Sequence, residues 1–377
     1  MKSLASACLG ATLLACAATV AAQAASPSDI VVGASLPLSG PNAAAGQEGL
    51  AVLKAYFDSV NQAGGIDGRQ IRLNALDDAF NPQKAADNAR QLIDAKAVAL
   101  VNCWGTSSCS AMVPVVNQAG IPLVGGIAGG GVMRSAPGRH AFNIRASTTF
   151  EIDTMVRHMA RIGQKSIAVV YQDDAFGKSG QAAAKAVFQQ HQLTPVAELA
   201  VAAGGANAGD VAAALAALPA LNGIIVLASP PATIGLITQA RQSGLRTQFY
   251  NLAAQASQTV VQGLGEHTTG VVFTTLVPSP WRSTMPVVQQ YQRLAGSATG
   301  KPAYSYLGME VFLNAHVLVE GLRKAGRSVQ RESLTAALES LGELQYGTMT
   351  LRLAPGQRAG SGYVGLALID RRGHFIE

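Results

Sequence analysis

Residues 30–62 read IVVGASLPLSGPNAAAGQEGLAVLKAYFDSVNQ, and the order of patterns within them decides the fold. Ile30-Val31-Val32-Gly33-Ala34 is a short apolar run of the kind a buried strand presents. Leu38-Ser39-Gly40-Pro41 interrupts it, and a helical spacing of apolar positions follows over residues 43–62. The same strand, turn and helix recur at residues 71–76 with 82–95 and at residues 98–102 with 108–118, and a further strand follows at 121–124. Such βα repetition predicts a parallel sheet with helices on its faces.

The pattern restarts after Phe142-Asn143-Ile144-Arg145. Helices are expected at 150–162, 180–190, 211–218 and 233–243, and strands at 166–171, 195–201, 223–227, 248–251 and 270–274. Beyond them come helices at 285–295, 308–324 and 331–341, then strands at 348–353 and 362–369. A helix-rich C-terminal portion of this size is best used by returning to cover the first sheet. The chain then crosses between two lobes more than once, which makes a hinge rather than a loose linker.

At the N-terminus, Lys2, an apolar run over residues 4–20 and Ala22-Gln23-Ala24 read as a cleaved secretory signal occupying residues 1–24. Leu13-Leu14-Ala15-Cys16 offers a secondary reading, lipid attachment at Cys16. The remaining length suits two domains. A net charge of +6 spread without a Lys/Arg block, and aromatic residues at 5 %, argue against nucleic acid as a partner. Outside the signal, Cys103 and Cys109 form an even pair for an oxidising compartment, either as a disulfide or as two buried thiols. Six scattered histidines supply no zinc spacing, and neither metal nor cofactor is expected.

The glycine-rich stretch Gly125-Gly126-Ile127-Ala128-Gly129-Gly130-Gly131 matches neither a dinucleotide fingerprint nor a P-loop. It can offer backbone N–H groups to a carboxylate, or be an ordinary turn. No Gly-x-Ser-x-Gly elbow is present, so no catalytic nucleophile is expected and the chain is not read as an enzyme. Asp77-Asp78 and Asp173-Asp174 each follow a strand, where acids cap helices or hold polar ligands. Thr106-Ser107-Ser108-Cys109-Ser110 stands between a strand and a helix, where hydroxyls and unpaired N–H groups make a cradle for an anion. Ordinary N-capping by Ser107 or Ser108 explains the same residues. Position favours binding, since ligands of open α/β sheets lie beyond the carboxyl ends of the strands.

Several segments in order resemble the branched-chain amino acid (leucine/isoleucine/valine) binding family of type I periplasmic binding proteins. They are residues 33–40, Asn61-Gln62-Ala63-Gly64-Gly65-Ile66-Asp67-Gly68-Arg69 leading to Asp77-Asp78, Ala119-Gly120-Ile121-Pro122-Leu123-Val124, Tyr171-Gln172-Asp173-Asp174-Ala175-Phe176-Gly177 and Ala240-Arg241-Gln242-Ser243-Gly244. The resemblance implies an α/β fold of two Rossmann-like lobes with parallel central sheets and a multi-strand hinge. Residues 25–147 with 277–354 would form the N-terminal lobe, and 148–276 with 355–377 the C-terminal lobe.

It also implies a ligand site at Thr106, Ser107 and Ser108, at Ile127, Ala128 and Gly129, and, across the cleft, at Asp174, Phe176 and Ala253. The family's tyrosine is Phe176 here, its ammonium-holding acid falls near Ala253, and its threonine after the fourth strand is Gly129. The anion-binding half is thus retained, while the ammonium partner is lost or moved. The expected function is the periplasmic solute-binding component of an ABC importer. It would act as a monomer, take a small amino acid or related carboxylate, and dock on an inner-membrane permease. A ligand-sensing module working with a separate signalling partner is the alternative.

Overall fold

The computed structural model describes residues 29–40, 42–134, 139–299, 304–370 and 372–377. The signal reading of residues 1–24 and the lipid-attachment reading of Cys16 lie outside them.

The first sheet is built from β1 (Ile30–Leu36), β2 (Ile71–Asp77), β3 (Ala99–Val101), β4 (Leu123–Val124) and β5 (Ala141–Phe142). All its pairings are parallel, in the order β2-β1-β3-β4-β5. α1 (Ala43–Gln62), α2 (Pro82–Asp94) and α3 (Thr106–Ala119) connect the strands. Asn81 starts α2 by accepting the Lys84 N–H, with Pro82 at the first helical position, where a missing donor costs nothing.

The second sheet repeats this plan with β6 (Ile167–Gln172), β7 (Ala197–Val201), β8 (Gly223–Leu227), β9 (Gln248–Asn251) and β10 (Val271–Thr275). Their order, β7-β6-β8-β9-β10, is that of the first sheet. α4 (Thr148–Arg161), α5 (Ala175–Gln190), α6 (Ala208–Ala216), α7 (Pro230–Gln242) and α8 (Gln258–Leu264) accompany it. In both sheets the order reverses beside the first strand to be laid down, which leaves a crevice at the strand ends.

After β10 come α9 (Pro286–Thr299), α10 (Tyr306–Ala325) and α11 (Arg331–Glu339). α9 and α10 pack on α1, where Tyr56 meets Phe312 edge-on at 5.0 Å, so the late helices cover the first sheet. An antiparallel hairpin, β11 (Gly342–Tyr346) and β12 (Met349–Leu353), follows. β13 (Gly365–Ile369) then joins β10 antiparallel, and β14 (Phe375–Ile376) joins β13. The result is a two-lobed α/β molecule with a parallel core in each lobe.

Three expectations need correction. The third helix starts at Thr106 rather than Ser108, with Gly105 as its cap (φ 80°) and no side-chain capping bond, so neither Ser107 nor Ser108 is an N-cap. α5 starts at Ala175, five residues before the expected 180, because the Asp174 side chain accepts the Gly177 N–H and opens the helix there. Gly177 is required at that turn, since a Cβ would lie 2.0 Å from the Gln172 carbonyl oxygen. α8 and β11 were not expected: the first is only seven residues long, and the second is mostly solvent-facing, so its apolar period is weak.

Candidate functional site

The first-lobe half is organised around the end of β3. Cys103 is joined to Cys109 by a disulfide, which ties the strand end to the first turn of α3. Both cysteines are fully buried beside Met112, Val116 and Met133. Within this clamp the Cys109 N–H reaches back to the Gly105 carbonyl, leaving the Thr106, Ser107 and Ser108 N–H groups as the orphan donors of the helix start. Thr106 is half-buried, Ser107 exposed and Ser108 buried. The Phe80 ring covers Gly105 so closely that a Cβ there would stand 2.7 Å from it.

Ile127, Ala128 and Gly129 are brought to the same place by backbone pairing. The Ile127 N–H donates to the Cys103 carbonyl (2.8 Å) and the Gly105 N–H donates to the Ile127 carbonyl (3.1 Å). A Cβ on Gly130 would meet the Thr106 methyl at 2.6 Å, and one on Gly129 would meet Thr148 Oγ1 at 1.9 Å. The space beside residue 129 therefore belongs to the hydroxyl of Thr148, the first residue of α4, whose N–H also donates to the Gly129 carbonyl (3.2 Å). Ser147 caps α4 by accepting the Phe150 N–H. Two helix starts thus flank one glycine-rich loop, each carrying the partial positive charge of a helix N-terminus.

Asp174 and Phe176 sit at the start of α5, and α5 packs against α3 across the cleft. Phe176 is half-buried. Asp174 is already engaged: it accepts the Gly177 N–H at 2.9 Å and the Gln172 side-chain amide at 2.5 Å. Gln172 in turn accepts from the Ser229 N–H and hydroxyl, locking the start of α7 to that of α5. Asp173 is exposed and pairs with Lys178 at 2.9 Å. Ala253 opens a 3₁₀ turn after β9, and its N–H donates to Glu151 Oε2 at 2.8 Å. The same oxygen accepts the Thr274 hydroxyl at 2.5 Å, so Glu151, on the first turn of α4, brings a buried carboxylate to the Ala253 backbone.

Of the other acid pair, Asp77 holds the loop after β1. It accepts from the Leu38, Ser39 and Ala79 N–H groups and from the Ser39 hydroxyl, and that hydroxyl bond above all holds its carboxyl below the usual range. Asp78 is buried against the Ser35 hydroxyl at 2.8 Å, and loss of solvent pushes it up. Both acids shape the fold. Among the described residues no cluster of three or more His, Cys, Asp or Glu is arranged to hold a metal ion, and no helix is long and apolar enough to cross a membrane.

Two lobes of identical strand order, with a cleft lined by helix starts, match one family model over residues 29–364. The chain belongs to the periplasmic binding protein family. This family binds solutes and is not catalytic. Among solved structures, a substrate-binding periplasmic protein from Ralstonia solanacearum is 30 % identical, with a TM-score of 0.85 over 92 % of this chain and 99 % of that one. A possible leucine/isoleucine/valine-binding protein from Rhodopirellula baltica is 25 % identical, with a TM-score of 0.86 over 93 % and 97 %. Leu/Ile/Val-binding protein homolog 3 of Brucella melitensis is 26 % identical over 181 residues, 48 % of this chain. That match spans about half the length (49 %) of this curated relative.

Sequence reasoning missed Gln172, Thr148 and Glu151, and also the buried Arg145 with its neighbours Arg134, whose guanidinium donates to the Arg145 carbonyl, and Glu310, 3.5 Å from its side chain. For Glu310 a signal was present: it is a lone acid between Met309 and Val311-Phe312-Leu313, in the most apolar stretch of α10.

Proposed function

We propose that this chain is the extracytoplasmic solute-binding component of an ABC importer, and that it takes a small carboxylate, an amino acid or its deaminated relative, between its lobes. The lobes divide as residues 25–147 with 277–354 and 148–276 with 355–377. Export through residues 1–24 would deliver it to the periplasm as a monomer, where the liganded form docks on an inner-membrane permease.

The observation that carries the ligand class is the disulfide-clamped start of α3, where three orphan N–H groups and the Thr106 and Ser107 hydroxyls adjoin the 127–130 loop. Such a cradle suits a carboxylate. The acids that could hold an ammonium group already have other partners. Asp174 caps α5, Asp173 pairs with Lys178, and Glu151 is taken up by Ala253, Thr274 and Arg145. The carboxylate is therefore the common requirement and the amine is dispensable.

A thermal-shift panel of leucine, valine, isovalerate and benzoate tests this. A ligand at about a hundred times its dissociation constant stabilises by about 2.7 kcal/mol. Deaminated acids are expected to raise Tm at least as much as their amino acids. Stabilisation by leucine and valine alone would show that an ammonium partner exists after all.

A further inference from the structure

Between the lobes lies a set of buried charges. Arg145, on the first crossover, has its side chain 3 % exposed. It faces Glu151 of α4 at 3.7 Å and Glu310 of α10 at 3.5 Å, and those side chains are 1 % and 8 % exposed. The two carboxylates belong to different lobes: α4 packs on α5 and β8, whereas α10 packs on α1, β3 and β4. Arg134 completes the set. Its guanidinium donates to the Ala128 and Gly130 carbonyls of the glycine loop, to the Arg145 and Ala146 carbonyls of the crossover, and to the Ala359 carbonyl of the last crossover.

A buried ion cluster is a poor device for stability alone, because apolar residues of similar size usually do as well or better. The Arg145 contacts are also longer than the roughly 2.7–2.9 Å of a charge-assisted hydrogen bond. Arg145 Nε and Glu310 Oε1 make no hydrogen bond. Glu151, by contrast, is fastened to its own lobe by the Ala253 N–H and the Thr274 hydroxyl. The Arg145 backbone is fastened to the other lobe by Arg134, and Asn143 beside it donates to the Met133 carbonyl.

We propose that Arg145 is a cation shared between a first-lobe and a second-lobe carboxylate, and that this sharing sets the open–closed equilibrium of the hinge. Glu310 holds Arg145 whether the cleft is open or shut, since both move with the first lobe. Glu151 approaches Arg145 only when the lobes close. Glu310 therefore competes against closure and Glu151 favours it. Arg134 links this balance to the glycine loop, so that occupancy of the cradle and the position of the crossover are read by one side chain.

The prediction is a pair of opposite signs. Glu310→Gln leaves Arg145 without its permanent partner and drives it to Glu151, so the unliganded protein becomes more compact. Glu151→Gln keeps an acceptor for the Ala253 N–H but removes the closing charge, so the protein becomes more open. Each shift should change the open-to-closed ratio about fivefold or more, the usual size of a coupling between sites. Small-angle scattering of unliganded protein reads both without any ligand, so this test is independent of the solute assignment.

Acidification supplies a second measurement. Burial pushes the Glu310 carboxyl above the ordinary range, with Arg145 opposing and Glu151 reinforcing. Lowering the pH thus neutralises Glu310 early and compacts the wild type but not Glu310→Gln. The charged groups facing Glu310 are Arg145, Glu151 and Arg134. Changes of the same sign in the two variants, or no change in either, overturn the proposal. Should Glu151→Gln not fold, by near-ultraviolet circular dichroism, failure of Glu310→Gln to compact relative to wild type overturns it alone.

Discussion

The two halves of the cleft are laid out on the same strand order and furnished in opposite ways. In the first lobe the proposed site would be made of backbone N–H groups and short hydroxyls, and a covalent bridge holds these in place. In the second lobe the polar side chains at the helix starts are spent on one another: Asp174 on Gly177 and Gln172, Gln172 on Ser229, Glu151 on Ala253. A backbone cradle depends on the fold and survives many substitutions. A side-chain partner depends on one residue and is lost with it. On the proposed reading, that difference would let an anion-binding half persist while the recognition of the rest of the solute changes.

The contrast can be broken most directly at the bridge. Replacing both cysteines by serine releases a short loop, with a separation of six residues. It should lower stability by about 2 kcal/mol in denaturant unfolding, on the loop-entropy account of disulfides. An unchanged midpoint would mean that packing alone holds the end of β3 to α3. Next, Thr106→Val keeps shape but removes a hydroxyl from the cradle. It should weaken the stabilisation given by the best carboxylate of the panel by about 1.5 kcal/mol, the scale of a hydrogen bond to a charged group, while leaving the Tm of the empty protein nearly unchanged.

In the second lobe the expectation reverses. Asp174→Ala should cost about 1 kcal/mol of stability through loss of the α5 cap, whereas Asp174→Asn, itself a good cap, should cost almost nothing. The ligand profile should be the same in both. A large loss of leucine binding in Asp174→Asn, with stability intact, would instead make Asp174 an ammonium partner. The smallest effect belongs to Asp77. Its folded pKa is depressed by the Ser39 hydroxyl and three N–H groups, so its contribution is present above the unfolded value and lost as pH falls through the depressed one. Because the group is solvent-exposed the effect is small, and it should show only as a flatter acid limb, below about pH 4, in Asp77→Asn.

Much of the architecture was readable because alternating β and α periods leave a strong mark. Residues 30–62 alone give β1, its turn and α1. What could not be read follows from chemistry that has no local period. Gly105 before three hydroxyl residues looks like a turn leading to a serine cap, and only its positive φ under the Phe80 ring makes it the cap. The two-residue strand β5 is too short to carry a period of its own. Thr148 occupies the space beside Gly129 through the crossover, a relation no spacing in the chain announces. The Arg145 cluster draws one residue from a crossover and two from helices of different lobes, so the partners declare themselves only when the lobes are assembled.

The return of α9 and α10 onto α1 bears on how the molecule is made. When Tyr56 emerges, the Phe312 that will cover it lies on the far side of all the parallel strands of the second lobe. Until then an apolar helix face stays bare, and contacts so distant in the chain are slow to close. The export proposed for this chain would gain from that delay, because an exported chain must not finish folding before it has crossed. The first lobe is begun first, yet it is covered only after the parallel strands of the second have all been laid down.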